Sequence, residues 1–225
     1  MSIRQAVSVA FFAAFLPTVV AAEEAVQIGG AYALLNKPAS PQAAVILIPG
    51  GDGRMEIRPD GSFGSLRGNQ LVRTRQAYLG YGVATLTIDL GVNVGAAVEY
   101  MRKIAPKVTI VGTGRGTLRA ANGLSAHPSG LVLTAAFLPD VRARVGSASA
   151  LPPTLVVQHR KDSCRHTLPG NVEPFQAWGG SKVKVTWMDG GVNVGDPCEA
   201  KAYHGFNGLD GQVVSAVAGF AKSVK

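Results

Sequence analysis

The sequence predicts an α/β domain built on a mostly parallel sheet flanked by helices. Short, continuously apolar runs recur along the chain, and helix-like patterns lie between them. Such runs lack the polar alternation of half-exposed strands and fit strands buried on both faces of a parallel sheet. No stretch rich in Pro, Ser or charge divides the series, so a single domain is expected.

Taken in order, residues 26–35 alternate and are interrupted by Gly29-Gly30, which predicts one or two short edge strands. Residues 43–48 are apolar throughout and end in Pro49-Gly50-Gly51-Asp52-Gly53. The same form returns at 83–88, 108–111, 131–135, 154–158 and 183–187. Helical patterns are read at 70–79, 96–104, 117–124 and 209–224. Pro152-Pro153 stands directly before a strand and reads as a loop constraint. A short repeat, Asp89-Leu90-Gly91-Val92-Asn93-Val94-Gly95 and Asp189-Gly190-Gly191-Val192-Asn193-Val194-Gly195, follows a predicted strand in both copies. Both copies are thereby placed at the carboxyl edge of the sheet, where ligands bind in such folds, although turn-forming residues also recur by coincidence.

The first 22 of the 225 residues read as an export signal: Arg4, then an apolar stretch from Ala6 to Leu16, Pro17, and the small residues Val20-Ala21-Ala22 before Glu23-Glu24. Removing them leaves 203 residues, 23–225, enough for one domain with a real core. The apolar stretch is too short to cross a bilayer, so a soluble, exported product, periplasmic or secreted, is expected, with no integral membrane segment after processing. Net charge is +8, falling to +7 once Arg4 leaves 21 basic residues against 14 acidic ones. The excess is spread along the chain and only 7% of residues are aromatic, so nucleic acid is not an expected partner.

Cys164 and Cys198 form an even pair, which in an oxidising compartment predicts a disulfide. Two free thiols, or a metal pair with His166, are the alternatives, the latter without four-ligand spacing. His159 and His166 lack further ligands, so no metal and no cofactor is expected. His127, beside Pro128, reads as a loop residue. Phe137, Trp178, Trp187 and Tyr203 are candidates for an apolar pocket, with core packing as the default.

The chemistry-bearing segment is Val108-Thr109-Ile110-Val111-Gly112-Thr113-Gly114-Arg115-Gly116-Thr117, a strand, a tight glycine turn and a helix start. A dinucleotide-binding turn has this form, but the third glycine of G-x-G-x-x-G falls on Thr117, the segment lies mid-chain, and no acid ends a strand about 20 residues on; Asp140, after Pro139, is the nearest. A nucleophile elbow has the same form, with glycines flanking a residue whose side chain projects above the sheet. Its companions are present in the expected order: a glycine loop upstream able to offer N–H groups to an oxyanion, then Asp162 after a strand, then His204 before the last helix.

In this combination the chain resembles the α/β-hydrolase superfamily over residues 26–220, and specifically small exported bacterial members related to dienelactone-hydrolase-type enzymes. The resemblance implies an α/β-hydrolase fold without a cap domain. It makes Asp162 the triad acid, with Asp140 and Asp189 as rivals, and His204 the general base. The N–H of Arg115 and one from Gly51 or Asp52 would form the oxyanion hole. A disulfide would brace the Asp162 and His204 loops together. The elbow of such enzymes reads G-x-S-x-G, and here Gly114 stands at the serine position. Thr113 and Thr117 lie off the apex, with Thr113 expected to point inward. Without an attacking oxygen, strong serine-type catalysis on a small ester or acyl ligand is not expected, and a non-catalytic binding protein using the old pocket is the competing reading.

Overall fold

The computed structural model describes residues 22–225. Apart from Ala22, the expected export signal lies outside the described residues. Eight strands form one sheet: β1 (Glu24–Ile28), β2 (Ala31–Asn36), β3 (Ala43–Ile48), β4 (Val83–Ile88), β5 (Val108–Gly114), β6 (Gly130–Ala136), β7 (Thr154–His159) and β8 (Val183–Met188). Their order across the sheet is β1-β2-β4-β3-β5-β6-β7-β8. The first two strands pair antiparallel, and every pairing from β4 onward is parallel.

Six helices complete the domain: α1 (Gln70–Arg73), α2 (Val94–Arg102), α3 (Gly116–Asn122), α4 (Leu138–Val145), α5 (Val172–Gly179) and α6 (Asp210–Ser223). Along β3 the side chains divide by parity between two cores. Ala44, Ile46 and Ile48 join residues of α2, α4 and α5 on one face. Ala43, Val45 and Leu47 join Leu71, Tyr78 and the α6 residues Val213, Val214 and Val217 on the other. Burial on both faces explains why the central strands carry no polar alternation. The architecture is that of the α/β-hydrolase fold, with an open sheet and no separate cap domain among the described residues.

Three elements differ from the sequence reading. The helix read at 70–79 breaks after Arg73 and resumes as a 3₁₀ turn, Ala77–Tyr81. Thr74 ends the first piece, because its hydroxyl and its N–H both bond the Gln70 carbonyl, closing the turn that a longer helix would continue. Helices α4 and α5 have no counterpart in the reading. Each holds a proline in its first turn, Pro139 and Pro174, where the missing N–H would have had no helical partner.

Both copies of the heptad repeat follow a strand, β4 and β8 respectively. Asp89 accepts N–H groups from Met55, Ile57 and Leu90, and Asn93 caps α2 through Ala96 N–H. In the second copy Asn193 instead accepts the N–H of Tyr203 at 3.1 Å, fastening the loop that carries His204. No helix among the described residues is long and apolar enough to cross a membrane.

Candidate active site

The glycine segment places its turn at the carboxyl end of β5. Gly114 lies in the left-handed region at φ +52°, and the β5–β6 register shifts between Thr113 and Gly114. The flanking glycines allow backbones to touch. A Cβ on Gly112 would stand 2.8 Å from Thr117 Cα, and one on Gly116 would stand 2.4 Å from the Ile48 carbonyl oxygen. Strand, turn and helix can therefore pack this closely only without side chains at 112 and 116. Thr113 is nearly buried, and the Thr117 hydroxyl, fully buried, donates to the Gly114 carbonyl at 2.6 Å. Neither hydroxyl occupies the apex.

Three predicted positions come together above this edge. A Cβ on Gly114 would lie 3.4 Å from His204 Nε2. His204 Nδ1 lies 3.4 Å from Asp162 Oδ2, with Asp162 fully buried and His204 mostly so. Asp162 lies in the loop just after β7, beyond Arg160 and Lys161, and His204 sits in a 3₁₀ turn, Tyr203–Gly205, ahead of α6. That turn is held by Asn193 and by Arg73, whose guanidinium donates to the Gly205 carbonyl and to Asp210.

Two residues absent from the sequence reading complete the arrangement. Thr167 Oγ1 donates to Asp162 Oδ2 at 2.8 Å and lies 2.9 Å from His204 Nδ1. A hydroxyl whose proton points at the carboxylate can only accept from the imidazole, so Nδ1 carries the hydrogen and Nε2 presents its lone pair toward position 114. Gln158 Nε2 donates to Asp162 Oδ2 at 3.1 Å, and Cys164 N–H to Oδ1 at 2.9 Å. A buried carboxylate is tolerated when donors surround it in this way. No motif spacing in the sequence links Thr167 to His204; only the path of the loop after β7 does.

A cavity of about 750 Å³ opens over these groups, lined among others by Gly50, Gly51, Gly114, Arg115, Phe137 and His204. Gly51 and Arg115 thus border the same space as Gly114, whereas Asp52 lines a neighbouring cavity and its carboxylate accepts Arg54 N–H. Asp140 borders the large cavity, and the carboxylate of Asp189 accepts the N–H of Gly190. Of the four aromatic candidates, Phe137 reaches the cavity and stacks on His166, with 5.1 Å between ring centres. Trp178 packs on Phe175, Trp187 lies under Arg160 at the surface, and Tyr203 stacks on His159. His159 is structural: its Nδ1 accepts Lys161 N–H and its Nε2 donates to the Gly190 carbonyl.

Cys164 and Cys198 are joined as a disulfide, their Cα atoms 4.6 Å apart, and both border the cavity. The bond ties the Asp162 loop to the segment leading into His204. Among the described residues no three His, Cys, Asp or Glu side chains group to hold a metal ion.

No protein-family model and no curated protein matches the sequence. Solved structures do match the fold. An alpha-beta serine hydrolase homologue from Coxiella burnetii superposes with a TM-score of 0.61 at 15% identity, covering 92% of this chain and 99% of that one. XC6422 from Xanthomonas campestris, described as an a/b serine hydrolase without lid, gives 0.59 at 15% identity, covering 90% and 98%. The esterase domain of a Rhodothermus marinus protein gives 0.63 at 10% identity, covering 90% and 98%. At such identities the likeness is one of fold, and the fold is that of the α/β hydrolases.

Proposed function

We propose that this chain is an exported α/β-hydrolase-type protein descended from an ester or acyl hydrolase, with Gly114 at the nucleophile position leaving it weak or inactive as a serine hydrolase. The observation that carries the reading is the 3.4 Å between His204 Nε2 and a Cβ built on Gly114. A serine there would place its hydroxyl within reach of an imidazole whose other nitrogen is held by Thr167 and Asp162. His204 would take the hydroxyl proton as the oxygen attacks the acyl carbon, and would return it to the leaving alcohol. The N–H of Arg115, with that of Gly51 or Asp52, would receive the oxyanion; of the latter two, Gly51 borders the cavity of Gly114.

The test compares the protein with its Gly114→Ser variant on a short p-nitrophenyl ester and a fluorophosphonate probe. The variant is expected to gain at least about a hundredfold in turnover and to be labelled at residue 114, while the parent is not labelled. A folded variant that stays inert and unlabelled would overturn the assignment of Asp162, His204 and the oxyanion loop.

The competing reading is a non-catalytic protein that keeps the cavity for a small ligand or partner. It is favoured by the φ of +52° at residue 114, which glycine adopts without the strain that a serine would bear. Slow residual hydrolysis abolished by His204→Ala excludes this reading; ligand binding without turnover, indifferent to that substitution, supports it.

A further inference from the structure

The Gly51 turn also borders a second cavity of about 360 Å³, which shares Gly51, Arg115 and Leu118 with the larger one. Neither His204 nor Asp162 lines it. Three arginines do, Arg115, Arg119 and Arg144, facing one carboxylate, Asp52. Among the described residues none of these arginines forms an ion pair. Asp52 uses Oδ1 to accept Arg54 N–H, and Arg144 reaches only Asn122 Oδ1, at 3.4 Å.

Arg119 is the unusual member. Its Nη2 donates to the carbonyls of Asp89, Leu90 and Val92 at 3.0, 3.2 and 3.1 Å, which fixes the guanidinium in place. Its Nη1 is shielded from solvent and has no partner. The Asp89 carboxylate is engaged instead by three backbone N–H groups, those of Met55, Ile57 and Leu90. The nitrogen faces Gly53, where a Cβ would stand 3.3 Å away. Burial lowers the basicity of this guanidinium, a loss that the Asp89 charge opposes. A partly desolvated cation is unfavourable as it stands, and an anion seated in the cavity beside it offsets that cost through its charge, without having to reach the covered Nη1.

We propose that this cavity is a binding site for the carboxylate or phosphate group of a small acid, held by Arg119 and Arg144 with Arg115 at the rim. The planar fork of arginine suits either group, and a cavity of about 360 Å³ suits a single anionic group rather than a polyanion laid along a surface. The site goes beyond the proposed function and does not require that any ester be hydrolysed.

The experiment is calorimetric titration of the purified, disulfide-intact protein at low ionic strength, with inorganic phosphate in one series and succinate in the other. Saturable binding of one anion per chain is expected, weakened at least about tenfold in Arg144→Gln and in Arg119→Gln. Arg119→Gln also removes the anchor of the 89–92 loop; Arg144 is exposed, so its variant gives the answer if the first fails to fold. Preference for phosphate or succinate names the acid, and either preference supports the site. Absence of saturable binding to both anions, or affinity unchanged in Arg144→Gln, overturns the proposal. Ester turnover plays no part in the readout, so failure of the hydrolase reading leaves this result intact.

Discussion

Thr167 stands between the two side chains that the sequence singled out. Its hydroxyl lies closer to His204 Nδ1, at 2.9 Å, than Asp162 Oδ2 does, at 3.4 Å. In the Gly114→Ser background, Thr167→Val is expected to lower kcat by about tenfold, about 1.4 kcal/mol, with KM little changed. Steady-state kinetics across pH check this; unchanged kcat with an unchanged profile would show that Asp162 orients His204 unaided. Asp162, His204 and the glycine turn were legible because strand ends and their order fix them in the chain. Thr167 and Gln158 were not, because their role comes from how a loop folds back on itself. The choice between Gly51 and Asp52 was illegible for the same reason, since of these two adjacent residues of one turn only Gly51 borders the cavity of Gly114.

Among the elements, the central strands could be read because both of their faces are covered, which writes burial into the sequence as unbroken apolar runs. Edge strand β8 was readable on a weaker pattern, with buried ends and a partly exposed middle. Helices α4 and α5 were hidden by Pro139 and Pro174, which look like breakers in a linear reading and are first-turn residues in the fold. The loops after β7 and β8 depend on the bond between Cys164 and Cys198, separated by 34 positions. Replacing both cysteines with serine is expected to destabilise the protein by about 3 kcal/mol, lowering Tm by roughly 6–12 °C. Thermal unfolding of the variant beside the reduced parent measures this, and equal losses in the two would assign the effect to the cross-link itself.

For the molecule as a whole, the sheet separates two apolar cores, and its antiparallel edge is fastened by one acidic side chain. Glu23 accepts hydrogen bonds from Arg75 at 2.6 and 2.7 Å and from Asn36 at 2.7 Å. Burial pushes its carboxyl up, but the bonds from Arg75 and Asn36, with the Arg75 charge, outweigh this and hold it below the ordinary value of 4.5. A carboxyl lowered on folding stabilises fully above its unfolded value, and that contribution disappears as pH falls through the folded value. Glu23→Gln is therefore expected to cost about 1–2 kcal/mol at neutral pH and progressively less below pH 4.5. Melting curves of the pair across acid pH test it; a gap that persists at the lowest pH would trace the loss to geometry rather than charge.

The stretch from Asp189 to Pro197 is exposed without a break, and it lies inside the loop closed by the disulfide. A protease that cuts there would leave two fragments still covalently joined, so His204 and the last helix would stay attached to the body of the sheet. Such a nicked molecule would run as one species until reduced, and only a thiol would let the C-terminal piece diffuse away.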